Sequence, residues 1–331
     1  MRRNRLAAGL AALLIVSLLL PVGGPAQTLG RYDDFDGRTI DPARWRGYEE
    51  TVRGTHARTT PVGQYEDGPE DKSPGAAYSF GARNAERRRQ VVSSQLRLAL
   101  TTWGAPFLFY VGDWRTLPKG RIGVRISDPE LADHVPPIHA MAAKLTLTRA
   151  SVEQARPCPG GDRPSSVIAA GLVGAFFNDG SSRSRTDRTG DVMAALMARV
   201  TPDASAAMSV VGTVWRCADR RCRLINRLAE ASFARTSALG IPITLAMRWQ
   251  PDRTRFLFRV SGDDAPAETR ALAYSSTISA GPPVGYVYDL RLENRPGACW
   301  WYGSTTPQLA VSSEARFDNV RLDGDAVVAT E

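Results

Sequence analysis

The 331 residues carry 42 lysines and arginines against 34 aspartates and glutamates, a formal net charge of +8 that is almost entirely arginine. The excess is modest, and the basic stretches at 85–90 (AERRRQ) and 181–188 (SSRSRTDR) have acidic residues within or beside them, as solvated loops and strand edges do. Basic tracts also bind anionic glycans, but with an export signal at the N-terminus nucleic acid is excluded as a partner.

Residues 1–26 read as that signal. Arg2, Arg3 and Arg5 form a basic start, residues 6–20 are an almost unbroken apolar run, and Gly24 and Ala26 stand at the −3 and −1 positions of a cleavage site. The rival reading is an uncleaved anchor, but the run is short of the ~20 residues a span needs. Pro21, Gly23, Gly24 and Pro25 follow it directly. Losing 26 of the 331 residues and three arginines leaves 305 residues at +5, enough for a large core. No later stretch is long and apolar enough to cross a membrane, so the expected address is secreted or periplasmic.

Strands dominate the rest. Short runs rich in branched and aromatic residues, bounded by Gly, Pro, Asp, Asn or Ser, predict strands at 95–102, 141–150, 166–178, 191–200 and 207–217. Others follow at 242–250, 254–262, 284–294 and 314–322. The Ala content of 191–200 and 228–239 also admits helix, and PELADH (129–134) a helical turn. In TRFLFRVSG, Phe256, Phe258 and Val260 fall on one face, with Arg255, Leu257 and Arg259 on the other. Pro251 and Asp252 supply the turn of a hairpin before it. Without a βαβ alternation the class is all-β and antiparallel. Residues 55–86 and 294–308 read as long loops within one domain spanning 27–331.

Four cysteines in an exported chain predict two disulfides. Cys217 and Cys222 bracket ADRR between strand-like runs, which sets them opposite one another in a hairpin; Cys158 and Cys299 then pair across distant sequence. A metal site is disfavoured, because His56, His134 and His139 lie near no cysteine.

The two ends of the chain echo each other. DDFDG followed by ID and RW (33–45) resembles the start of concanavalin A-like lectin/glucanase domains, of the laminin-G kind. ARFDNVRLDG (315–324) is similar to their last strand, and the hairpin at 249–264 to one of theirs. The resemblance implies a two-sheet antiparallel jelly-roll sandwich with long loops, its first and last strands side by side. It also implies a structural calcium ion, to which Asp318 with Asp34 or Asp36 would give oxygens. On the residues alone, those aspartates stabilise turns beside the inward-pointing Phe35 and Phe317. No cofactor is required.

Sugar-cleaving members of that superfamily carry Glu-x-Asp-x-Glu on one strand, which is absent here. The nearest arrangement is Asp289-x-Arg291-x-Glu293, three side chains on one face opposite Tyr288, Leu290 and Leu292. A central arginine holds both carboxylates ionised, unlike a general acid. Asp289 and Glu293 are thus weak catalytic candidates, while Arg291 suits a ligand groove. His134 and His139, flanking VPPI, fit loop residues bonded to backbone better than a general base. CWWYG (299–303) places Trp300, Trp301 and Tyr302 where their faces stack on sugar rings, and Phe107, Tyr110, Trp103 and Trp114 form a second aromatic group. The expected role is lectin-like binding of poly- or oligosaccharide. The alternatives are a glycoside hydrolase or polysaccharide lyase, and a structural or adhesion domain whose protein partner is unknown.

Overall fold

The computed structural model describes residues 29–50, 58–60, 85–103, 120–126, 138–154, 166–177, 187–201, 205–222, 224–262, 265–275, 287–296 and 309–323. Its strands in chain order are β1 (Gly30–Asp33), β2 (Trp45–Glu50), β3 (Arg58–Thr60), β4 (Ala85–Val91), β5 (Leu96–Trp103), β6 (Gly120–Ile126), β7 (Ala140–Gln154) and β8 (Val167–Phe177). They continue with β9 (Val192–Thr201), β10 (Ser205–Cys217), β11 (Ile225–Ser237), β12 (Ile243–Gln250), β13 (Arg255–Gly262), β14 (Ala265–Ala273), β15 (Val287–Arg295) and β16 (Leu309–Leu322). No helix among the described residues is long and apolar enough to cross a membrane.

Two antiparallel sheets form a jelly-roll sandwich. The first runs β14-β13-β12-β7-β16-β5-β4, with β1 added to the end of β16; the second runs β11-β10-β9-β8-β15-β6-β2-β3. Alternation builds the core. Leu96, Leu98, Leu100, Leu145, Leu147, Phe256 and Phe258 of the first sheet meet Ile122, Val124, Leu172, Leu196, Leu290 and Leu292 of the second, all buried.

The ends lie together, as the echo between them predicts. Gly30 pairs with Leu322 and Arg31 with Arg321, and a bulge then sets Asp33 against Val320. The Asp33 carboxylate accepts from the Phe35 backbone N–H at 2.8 Å and from the Trp45 indole N–H at 2.6 Å. Phe35, at φ 54°, stacks on Trp45, and both are buried with Phe317. The aspartates expected at calcium are engaged otherwise. Asp34 and Asp36 pair with Arg31, and Asp318 accepts from the Asn319 N–H. Among the described residues no cluster of three His, Cys, Asp or Glu could hold a metal.

Three expectations are corrected. Of the two readings open for 191–200 the strand holds, in β9, and the helix admitted for 228–239 gives way to β11 as far as Ser237, each strand laddered to β10. In β9, Ala194, Leu196, Ala198 and Val200 fill the core with period two, so tertiary pairing overrides the helix preference of alanine. Residues 55–86 are not all loop, because β3 and the start of β4 fall within them. Cys217 and Cys222 do form a disulfide, but not as a cross-strand pair. The residue opposite Cys217 is Ile225, and Cys222 sits in the turn at φ 53°. The β12–β13 hairpin turns through a 3-10 segment, Pro251–Arg253, with Thr254 left-handed at its end.

Candidate functional site

β15 lies in the middle of the second sheet, between β8 and β6. Tyr288, Leu290, Leu292 and Asn294 point into the sandwich, and this fixes Asp289, Arg291, Glu293 and Arg295 on the outer face. The inward polar groups hold the register. Asn294 Nδ2 donates to the carbonyls of Leu100 (2.9 Å) and Val311 (2.8 Å) in the first sheet, and Tyr288 Oη to that of His139 at 2.9 Å.

On the outer face, rows run across the strands. One reads Arg46, Arg125, Asp289, Val173, Ala195, Thr213 and Glu230. The next has Gly123, Arg291, Gly171, Met197 and Val211, and the third Arg121, Glu293, Ala169, Arg199 and Ser209. Only glycine fits beside Arg291: a Cβ on Gly123 would stand 2.2 Å from the Leu290 carbonyl oxygen, and one on Gly171 2.1 Å from that of Leu196.

Asp289 is fully buried between two guanidiniums, Arg125 at 2.8 Å and Arg291. Burial pushes its carboxyl upward most strongly as a single effect, but the two arginines together hold it below the usual range. Glu293 is gripped by Arg121 (2.9 Å), Arg295 (3.1 Å) and Arg291 (3.5 Å). Beyond β15 the floor turns apolar. Ala169, Val173, Ala195 and Met197, all buried, form one patch with the half-buried Trp215 packed against it. Cys222 Sγ lies 3.5 Å from Met193 Sδ, so the disulfide turn borders this patch.

The triad of Asp289, Arg291 and Glu293 is therefore together on one face. Trp300, Trp301, Tyr302, Cys158, Cys299, His134, Phe107, Tyr110, Trp114, residues 129–134 and the leader lie outside the described residues, as does the side chain of Trp103. His139 belongs to the fold. Its backbone N–H donates to Asp323 at 2.8 Å, and its ring meets the edge of Trp249 at 5.7 Å. Residues not singled out from sequence complete the face: Arg121 and Arg125 around Gly123, Arg199, and Trp215. The signal for the first group was present, since GRIGVRI alternates Arg, Gly, Arg with apolar residues.

No family model and no curated protein matches the chain. Among solved structures it is similar to the catalytic domain of an endo-1,3-beta-glucanase (laminarinase) from Thermotoga petrophila, at 12% identity over 89% of this chain and 97% of that one, with a TM-score of 0.42. It is also similar to SCLam, a non-specific endo-beta-1,3(4)-glucanase, at 12% identity, 90% and 97% coverage and a TM-score of 0.41. A third is the alginate lyase from Klebsiella pneumoniae, at 9%, 86% and 96%, and 0.40. At such low scores the site has to be read from this chain's own residues.

Proposed function

We propose that the chain is an exported, lectin-like protein that binds poly- or oligosaccharide on the outer face of its second sheet without cleaving it. One observation carries the reading: both carboxylates on the outer side of β15 are buried and committed to arginines, Asp289 to Arg125 and Arg291, Glu293 to Arg121, Arg291 and Arg295. Glycoside hydrolysis needs one carboxyl that gives up a proton and another that attacks or activates water. Asp289, held below its ordinary value by two guanidiniums, is no general acid, and Glu293, bound by three arginines, is no free nucleophile. What remains is a polar wall beside a buried apolar patch with the half-buried Trp215 at its margin, the mixture that sugars with one apolar face and many hydroxyls require. The aromatic loop at 299–303 would add stacking from Trp300, Trp301 and Tyr302. Residues 1–26 act as a cleaved leader in this reading, and 27–331 as one domain.

The test is a glycan array with the purified chain, run with and without EDTA, each hit then incubated and assayed for released sugar. Binding without release, weakened by Trp215→Ala or Trp301→Ala, supports the proposal. Release of product makes the chain a glycan-degrading enzyme, and no binding to any glycan moves it to a structural or adhesion role.

A further inference from the structure

We infer that this face selects its glycan by negative charge, with Arg199 as the residue that takes an anionic oxygen group of the sugar chain, a uronate carboxylate or a sulfate ester. The inference rests on the reading of the face as a glycan site. Arg199 stands in β9 between Ala169 on one side and Ser209 on the other, neither of them acidic. The nearby carboxylates are already engaged. Glu293 is held by three other arginines, and Glu230 receives Arg227 at 3.2 Å and the Thr213 hydroxyl at 3.4 Å. Among the described residues Arg199 thus has no ion pair, and its half-buried guanidinium has Arg295 for a neighbour of like charge.

Burial first, and then Arg295, favour the uncharged form of Arg199, against the weaker pull of Glu230 and Glu293. A cation that is partly stripped of water and set beside another cation is relieved by an anion, and a planar guanidinium takes carboxylate or sulfate oxygens in pairs. The wider face agrees. Arg46, Arg121, Arg125, Arg199, Arg227, Arg291 and Arg295 lie on it against Asp289, Glu293 and Glu230, with Glu50 at the register position opposite Arg121. Ala169 and Gly171 separate Arg199 from the charged row on β15, so no large side chain of β8 intervenes.

Affinity electrophoresis and calorimetry with polygalacturonate, dextran sulfate and neutral laminarin, at low and high salt, test this. The expected result is binding of one or both anionic polymers about tenfold or more tighter than laminarin, weakened by salt. Polygalacturonate alone would identify the carboxylate as the group recognised, dextran sulfate alone the sulfate. Arg199→Ala should lose about tenfold toward the anionic polymer, with Arg199→Lys restoring part of it. Arg149→Ala, beside a depression of about 160 Å3 lined by Arg88, Arg97 and Glu314 on the outer face of the first sheet, should change nothing. Should Arg199→Ala fail to fold, Arg199→Gln is read in its place.

Equal affinity for laminarin and the anionic polymers overturns the inference and leaves the proposed function standing. So does an anionic preference that survives in Arg199→Ala or disappears in Arg149→Ala. Failure to bind any of the three overturns the inference alone, and failure to bind any glycan on the array as well removes both.

Discussion

Asn294 of β15 and Ser313 of β16 share a hydrogen bond of 2.6 Å across the sandwich, the serine hydroxyl donating to the amide oxygen. With its two bonds to the Leu100 and Val311 carbonyls, Asn294 uses both amide N–H donors and one acceptor site of its oxygen inside an apolar core. A slip of β15 by one residue would move Asp289, Arg291 and Glu293 into that core, so this buried amide fixes which face the site occupies.

Asn294→Ala leaves two buried carbonyls and a hydroxyl with lost partners. We expect a loss of about 2–3 kcal/mol in urea unfolding. Asn294→Leu should be no better, since its volume does not restore the bonds.

Asp33→Ala removes the acceptor for the Trp45 indole and the Phe35 N–H at once. A loss of about 2 kcal/mol is expected, with quenching or shift of the Trp45 fluorescence reporting where it occurs. The variant loosens the pairing of β1 with β16 before the rest of the sandwich.

Acid should destabilise the protein in two windows. His139 is pushed below its ordinary value by burial first, with Asp323 opposing, so the unfolded chain binds the proton more readily. Its contribution is complete above about pH 6.5 and declines below it. Asp289 also titrates below its ordinary value, so its contribution is present above about pH 4 and is lost further down. Unfolding against pH should fall in both ranges. His139→Gln should flatten the upper window alone, and Asp289→Asn the lower one, at a cost of about 3 kcal/mol near neutrality for breaking a buried ion pair.

Gly171→Ala should be strongly destabilising, about 2–3 kcal/mol, because its Cβ meets the backbone oxygen of Leu196 at 2.1 Å. Gly212→Ala should cost less, since the Phe258 ring at 3.2 Å can give. Thermal melting of the two variants side by side decides this, and a reversed order would contradict the packing described around Arg291.

Cleanly alternating strands were legible in the sequence, and sites where polar residues point inward were not. Phe256, Phe258 and Val260 announced their face, Pro251 and Asp252 their turn, and Asp289, Arg291 and Glu293 their common side. β4 escaped because its inward positions are Arg87 and Arg89, both buried. Arg89 spans the sandwich to the Gly123 carbonyl at 2.7 Å and lies where a side chain at Gly47 would be. Arg199 escaped because the alanines around it suggested helix as readily as strand, and only the ladders to β8 and β10 decide between them. Cys222 had the right partner and the wrong geometry, since a left-handed turn residue closes the bridge that a cross-strand pair was expected to make.

The most direct measurement is a crystal structure with the tightest-binding oligosaccharide from the array. The account predicts an intact chain of sugars on the outer face of the second sheet, over Gly171 and against Trp215, with Asp289 and Glu293 still held by their arginines. A cleaved product there, or an oligosaccharide seated only on the outer face of the first sheet, would contradict it.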